Sequence, residues 1–185
     1  LPSNDPYLLA LLNSPLLWWH NWRHLPHMKD EALTPAGIRM VDIPIAQPTD
    51  AQRETAVSAV SRLIVLTQER RARVRDLLGW LRTEFEIEKS GQKLEDFADL
   101  SVDAFVDEVK KRRPRSAARL SPNALRDLET TYAEYAGYVQ KPDLESDTLE
   151  HRLSDLVNAA YGLTPADIDL MWRTAPPRMP IKPPV

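Results

Sequence analysis

Residues 49–89 read TDAQRETAVSAVSRLIVLTQERRARVRDLLGWLRTEFEIEK, and the fold turns on this stretch. Thr49 and Gln52 have the spacing of a capping box, in which each side chain satisfies the other residue's orphan backbone donor. Beyond it, apolar residues step three and four apart through Val57, Val60, Ile64, Thr67, Arg71, Val74, Leu78, Leu81 and Phe85. This is a heptad seam with a polar break at Thr67 and Arg71. The spacing predicts a helix from about Asp50 to Lys89, roughly 60 Å long at 1.5 Å per residue. The chain carries 16 prolines but none between Pro48 and Pro114, so no proline breaks this helix. A helix so long, with so narrow an apolar stripe, needs partner helices.

The partners follow. Ser121-Pro122 opens a helix with the seam Leu125, Leu128, Tyr132, Tyr135 and Val139. Ser146 starts another through Leu149, Leu153, Leu156 and Ala160, with Gly162 placed for a left-handed cap. Thr164-Pro165 caps a short closing helix through Trp172. Folded back on the long helix, these predict an all-α fold: a long antiparallel helical hairpin or small bundle, with one short edge strand at most. Residues 94–119 read as an excursion containing a short helix, Val102 to Lys111, and a basic linker.

Upstream, Asp5-Pro6 and Ser14-Pro15 start two short helices. Both are apolar nearly all round and need burial against something larger. His24 to Gly37 reads as a loop, and Ile38 to Ile45 is the one β-like stretch, confined by Pro44 to an edge or a strand end. Three regions result. Residues 1–47 hold the apolar helices and an exit strand, 48–175 the helical hairpin, and 176–185 a proline-rich tail expected to be extended or disordered. The chain starts at Leu1, not methionine, which reads as a piece of a longer polypeptide.

Composition excludes several classes. With 43% hydrophobic and 28% charged residues over 185, the profile is that of a soluble folded protein. No apolar run reaches transmembrane length and no secretory leader is present, so no membrane partner is expected. The absence of cysteine rules out disulfides, a thiol nucleophile and cysteine zinc sites, and is compatible with the cytoplasm. The five glycines are too dispersed for a dinucleotide or phosphate loop, and no Gly-x-Ser-x-Gly elbow occurs. His20, His24 and His27 have the best metal-ligand spacing, but Pro26 interrupts the third and no carboxylate follows until Asp30. No catalytic residue, metal site or cofactor site is assigned within this chain.

Charge is more informative. The net charge is −3, but it is unevenly spread. Arg70, Arg71, Arg73 and Arg75 crowd together on the long helix, and Lys110, Lys111, Arg112, Arg113, Arg115 and Arg119 form a second cluster without an acidic residue. Thr83 to Val109, between them, carries nine acidic residues against two basic. Two readings are open. The ten basic residues contact phosphate backbone, or they neutralise acidic neighbours and are otherwise solvated.

Several elements together resemble a known family. Tyr7-Leu8-Leu9-Ala10-Leu11-Leu12-Asn13-Ser14-Pro15 is similar to an element near the end of target-recognition domains in restriction–modification proteins. Asp42-Ile43-Pro44-Ile45-Ala46-Gln47-Pro48, with Gln52 following, resembles the exit from such a domain into a helix, as in Type I specificity subunits and single-chain adenine methyltransferases. Asp103 to Pro114 and Leu156 to Ile168 resemble later stretches of the larger methyltransferases, in the family's order.

The resemblance implies the C-terminal region of a Type II-like adenine-specific DNA methyltransferase, with double-stranded DNA and the rest of the parent chain as partners. S-adenosylmethionine is implied for the parent protein alone. The family's Asn-Pro-Pro-Tyr and glycine-rich cofactor loop are missing from this sequence, and Asn158-Ala159-Ala160 replaces bulkier residues before Tyr161-Gly162-Leu163. The alternative is a helical protein–protein assembly module, in which Trp18, Trp19 and Trp22 mark a covered surface and the apolar N-terminal helices pair in a homodimer.

Overall fold

Helix starts fall where caps and prolines put them. The computed structural model describes residues 5–29, 33–34 and 43–184; it is all-α, with 72% of the described residues helical. Asp5 accepts from the Tyr7 amide at 2.9 Å to start α1 (Pro6–Leu12), and Ser14 accepts from Leu17 at 3.2 Å to start α2 (Pro15–His24). The Thr49–Gln52 box closes as expected, with bonds of 2.8 and 3.2 Å, and opens α3 (Asp50–Phe85). Next come α4 (Gly91–Glu95), a 3₁₀ turn (Phe97–Asp99) and α5 (Val102–Arg112), the last capped by Ser101. The long α6 (Pro122–Ala160) and short α7 (Pro165–Arg173) complete the order. Gly162, at φ +66°, ends α6 in the left-handed cap its position announced.

Three expectations need correction. The first long helix stops at Phe85, not Lys89, because Glu86 takes a left-handed φ of 57°. The two helices expected after Ser121 and Ser146 are one, with Pro142 inside it. Thirdly, the buried stripe in the first half of α3 lies one residue earlier than the apolar pattern suggested. Ala56, Ala59 and Leu66 are buried and Leu63 is half-buried, while of the expected seam Val60 is buried as expected but Val57 and Ile64 are 43% and 48% exposed. Small side chains occupy that seam because the bulk comes from the elements packed on it.

Of the β-like stretch, residues 38–42 lie outside the described residues, and Ile43 to Ile45 form no strand. Much of the expected loop, at 30–32 and 35–37, lies outside them too. An isolated bridge, His27 to Leu33, pairs extended chain there.

The chain divides into two units. The first comprises Leu1–Leu63 and Asp147–Val185. Its core sets Tyr7 and Ala10 of α1 with Ala56, Ala59 and Val60 of α3 and with Leu153 and Leu156 of α6. A second cluster joins Leu11, Leu17 and Val157. Arg53 donates to Asp5 at 2.7 Å and holds its carboxyl below the usual range. The burial that the apolar N-terminal helices require is thus supplied inside this unit. The tail, expected to be extended or disordered, begins with defined contacts, since Trp18 Nε1 donates to the Pro177 carbonyl at 3.0 Å and Pro176 is buried; just before it, Trp19 Nε1 donates to Thr174 Oγ1 at 2.9 Å.

The second unit is Ile64–Ser146. Here α3 and α6 run antiparallel. Arg70 meets Asp143 at 3.2 Å, while Trp80 and Glu84, further along α3, share a cavity wall with the earlier Asp127 and Thr131. The excursion closes onto this pair through Leu94, Phe97, Phe105 and Val109, packed with Leu77, Leu81, Leu128 and Val139. Each such fully buried side chain is worth roughly 1.5–3 kcal/mol. Phe105 lies 5.2 Å from the Tyr132 ring, whose hydroxyl donates to the Leu100 carbonyl.

Candidate nucleic-acid interface

The shifted seam decides the fate of the first basic cluster. Because Leu66 faces the core, Arg70 points inward four residues later, and its guanidinium binds Asp143 at 3.2 Å and Asp96 at 4.0 Å. Arg71, expected in the seam, is exposed instead. Arg75 is one helical turn beyond Arg71 on the same face and is exposed too. Arg73 lies 5.0 Å over the Tyr138 ring, a cation–π contact.

The second cluster divides likewise. Glu108 is 6% exposed and takes Arg112 Nε at 2.6 Å. That hydrogen bond, set against burial, holds the Glu108 carboxyl below its ordinary range. Arg112 also donates to the Lys89 carbonyl at 3.2 Å and so ties the loop before α4 to α5. Lys110 pairs with Asp107 at 3.0 Å, and Lys111 lies 3.9 Å from Glu108. Arg113 donates to the Ala118 carbonyl at 3.0 Å and shapes the turn into α6. Neutralisation of acidic neighbours thus accounts for Arg70, Lys110, Lys111 and Arg112.

Arg71, Arg75, Arg115 and Arg119 are exposed and form no ion pair among the described residues. All four belong to the second unit. Sequence separates them from the structural arginines only weakly, because charge runs do not reveal which members face a carboxylate.

The cavity beside the basic turn escapes a reading of charge runs and motifs. It has a volume of about 520 Å³ and is lined by Trp80, Glu84 and Phe85 of α3, by Ala124, Asp127, Thr130 and Thr131 of α6, and by the turn before α6 with Arg113 and Arg119. The signal is helical spacing: Trp80 and Glu84 are one turn apart, as are Ala124, Asp127 and Thr131 in succession.

The histidines gather no metal set. His20 and His24 have ring centroids 4.3 Å apart, but His27 turns to the Trp22 carbonyl at 2.7 Å. No group of three or more metal-binding side chains occurs among the described residues. Of the described glycines, Gly79 and Gly137 lie inside helices, Gly91 starts α4, and Gly162 sits in the turn after α6. None forms a phosphate-cradling loop. No described helix is long and apolar enough to cross a membrane.

No curated protein and no solved structure matches the chain. A family described as a domain of unknown function (DUF8810) matches residues 49–157, from the cap of α3 to within three residues of the end of α6. That span covers more than half of the sequence, and the chain belongs to this family.

Proposed function

We propose that this chain is a non-catalytic, specificity-associated helical portion of an adenine-specific DNA methyltransferase from a restriction–modification or phage-defence system. In this reading it spaces domains of a cytoplasmic parent protein and holds the DNA backbone. The observation that carries it is the set of four exposed, unpaired arginines, Arg71, Arg75, Arg115 and Arg119. Guanidinium groups not engaged by carboxylates are free to take phosphate, with release of condensed counterions as the driving force. Such contacts position a complex without reading its sequence. The ordered resemblance from about Tyr7 to Trp172 supplies the methyltransferase context. S-adenosylmethionine would belong to the parent's catalytic domain, since no glycine loop or Asn-Pro-Pro-Tyr is present to hold it here.

The test uses the purified chain with a labelled duplex and S-adenosylmethionine. Four phosphate contacts give binding that weakens about 150-fold between 50 and 200 mM salt, with no methyl transfer. Robust methylation by this chain alone, or no duplex affinity at low salt, rejects the proposal.

A helical assembly module is the second reading. Ile64 and Val65, 48% and 41% exposed, and Tyr138, 50% exposed, favour it. Self-association that rises with concentration in sedimentation, and is lost in Ile64→Lys, would support it over DNA contact.

A further inference from the structure

The cavity in the second unit has a chemistry that the backbone-contact reading leaves unused. Its lining holds two guanidinium groups, Arg113 and Arg119, and two carboxylates, Glu84 of α3 and Asp127 of α6. Opposite charges lining one cavity ordinarily pair, yet among the described residues these four form no ion pair. Arg113 Nε is shielded from solvent with no hydrogen-bond partner, even though Nη1 of the same group is anchored on Ala118. The Thr130 and Thr131 hydroxyls, also in the lining, make no hydrogen bond among the described residues. Trp80 supplies an aromatic wall, with Phe85 packed against it at 5.1 Å and 68°. The volume of about 520 Å³ falls in the range of small-molecule sites.

An occupant that uses all of this carries an anionic group for the guanidinium groups, a planar ring for the tryptophan, and donors for the carboxylates and threonine hydroxyls. We infer that the cavity binds a nucleotide: phosphate on Arg113 and Arg119, base stacked on Trp80, exocyclic amine donated to Glu84 or Asp127, and sugar hydroxyls on Thr130 and Thr131. Stacking on tryptophan is indifferent to base identity, so the carboxylates are what favour an amino-bearing base. A nucleotide of a single strand and a free mononucleotide share this chemistry. The site goes beyond the duplex-backbone reading, of whose four arginines only Arg119 lines the cavity.

Calorimetric titration of the full chain with AMP tests the inference, with adenosine, ribose 5-phosphate and inorganic phosphate as comparisons and a short single-stranded oligonucleotide as the polymer arm. AMP is expected to bind at least tenfold more tightly than each comparison. Arg119→Ala and Asp127→Asn, both at exposed positions, should each weaken AMP by about tenfold with the thermal melt unchanged. An oligonucleotide tighter than AMP identifies a strand as the source; AMP tighter than the oligonucleotide identifies the free nucleotide. Equal binding of phosphate or ribose 5-phosphate overturns the stacking, equal binding of adenosine overturns the arginine role, and no AMP binding at millimolar concentration overturns the whole. Loss of AMP binding with duplex affinity retained sinks this inference alone; the reverse result sinks the duplex reading alone.

Discussion

Arg112 shows how a residue chosen for its charge turns out to hold the fold. Its guanidinium joins Glu108 to the Lys89 carbonyl and lies so close to Gly91 that an added Cβ would collide with it. Gly91 also has φ +63°, where a side chain is strained. Gly91→Ala is therefore expected to destabilise the second unit by more than 1 kcal/mol in urea melts; an unchanged midpoint would contradict the lock. Glu108 adds a pH signature. Its folded-state pKa is depressed, so its contribution is complete above the ordinary value of about 4.3 and is lost as pH falls through the lower folded value. Glu108→Gln should cost about 1–3 kcal/mol at pH 7, with the gap closing below about pH 4. A gap that stays constant into acid would show that the ion pair contributes nothing. Glu108 and Arg112 have the i, i+4 spacing that one helix joins, but the run Lys110 to Arg119 leaves Glu108 out, and only the fold brings the Lys89 carbonyl near.

At the scale of elements, caps were legible and register was not. Asp5, Ser14, Thr49, Ser121 and Thr164 act within three residues of themselves, so local sequence announces them, whereas Ser146, read the same way, lies inside α6. Register depends on what packs opposite. The apolar pattern selected Val57 and Ile64, but the core took Ala56 and Ala59 because Tyr7, Leu153 and Leu156 fill the space they leave. Pro142 misled in the other direction. It removes an amide and leaves the Tyr138 carbonyl without its helical donor, a break by local rules. The helix continues because Ala136 and Val139 are buried before the proline, Leu153 and Val157 after it, and Asp143 is held by Arg70. Pro142→Ala restores the missing bond and should raise stability by about 1–3 kcal/mol in thermal or urea unfolding. A loss of stability would mean that the packing requires the proline's bend.

For the whole molecule, the all-α class follows from periodicity and proline spacing, and the family match spans α3 and nearly all of α6 with everything between. Function was less legible, since phosphate contact depends on which arginines remain unpaired after folding. The most direct measurement is the salt dependence of duplex affinity by fluorescence anisotropy, for the wild type and for a variant with Arg71, Arg75, Arg115 and Arg119 all changed to Gln. The wild type is expected to give a log–log slope near −3.6, about 0.9 per contact, and the fourfold variant a slope near zero with its helicity intact. Arg112→Gln should lower the melting temperature and leave the slope unchanged. A wild-type slope near zero, or a fourfold variant that binds as the wild type does, would contradict the account.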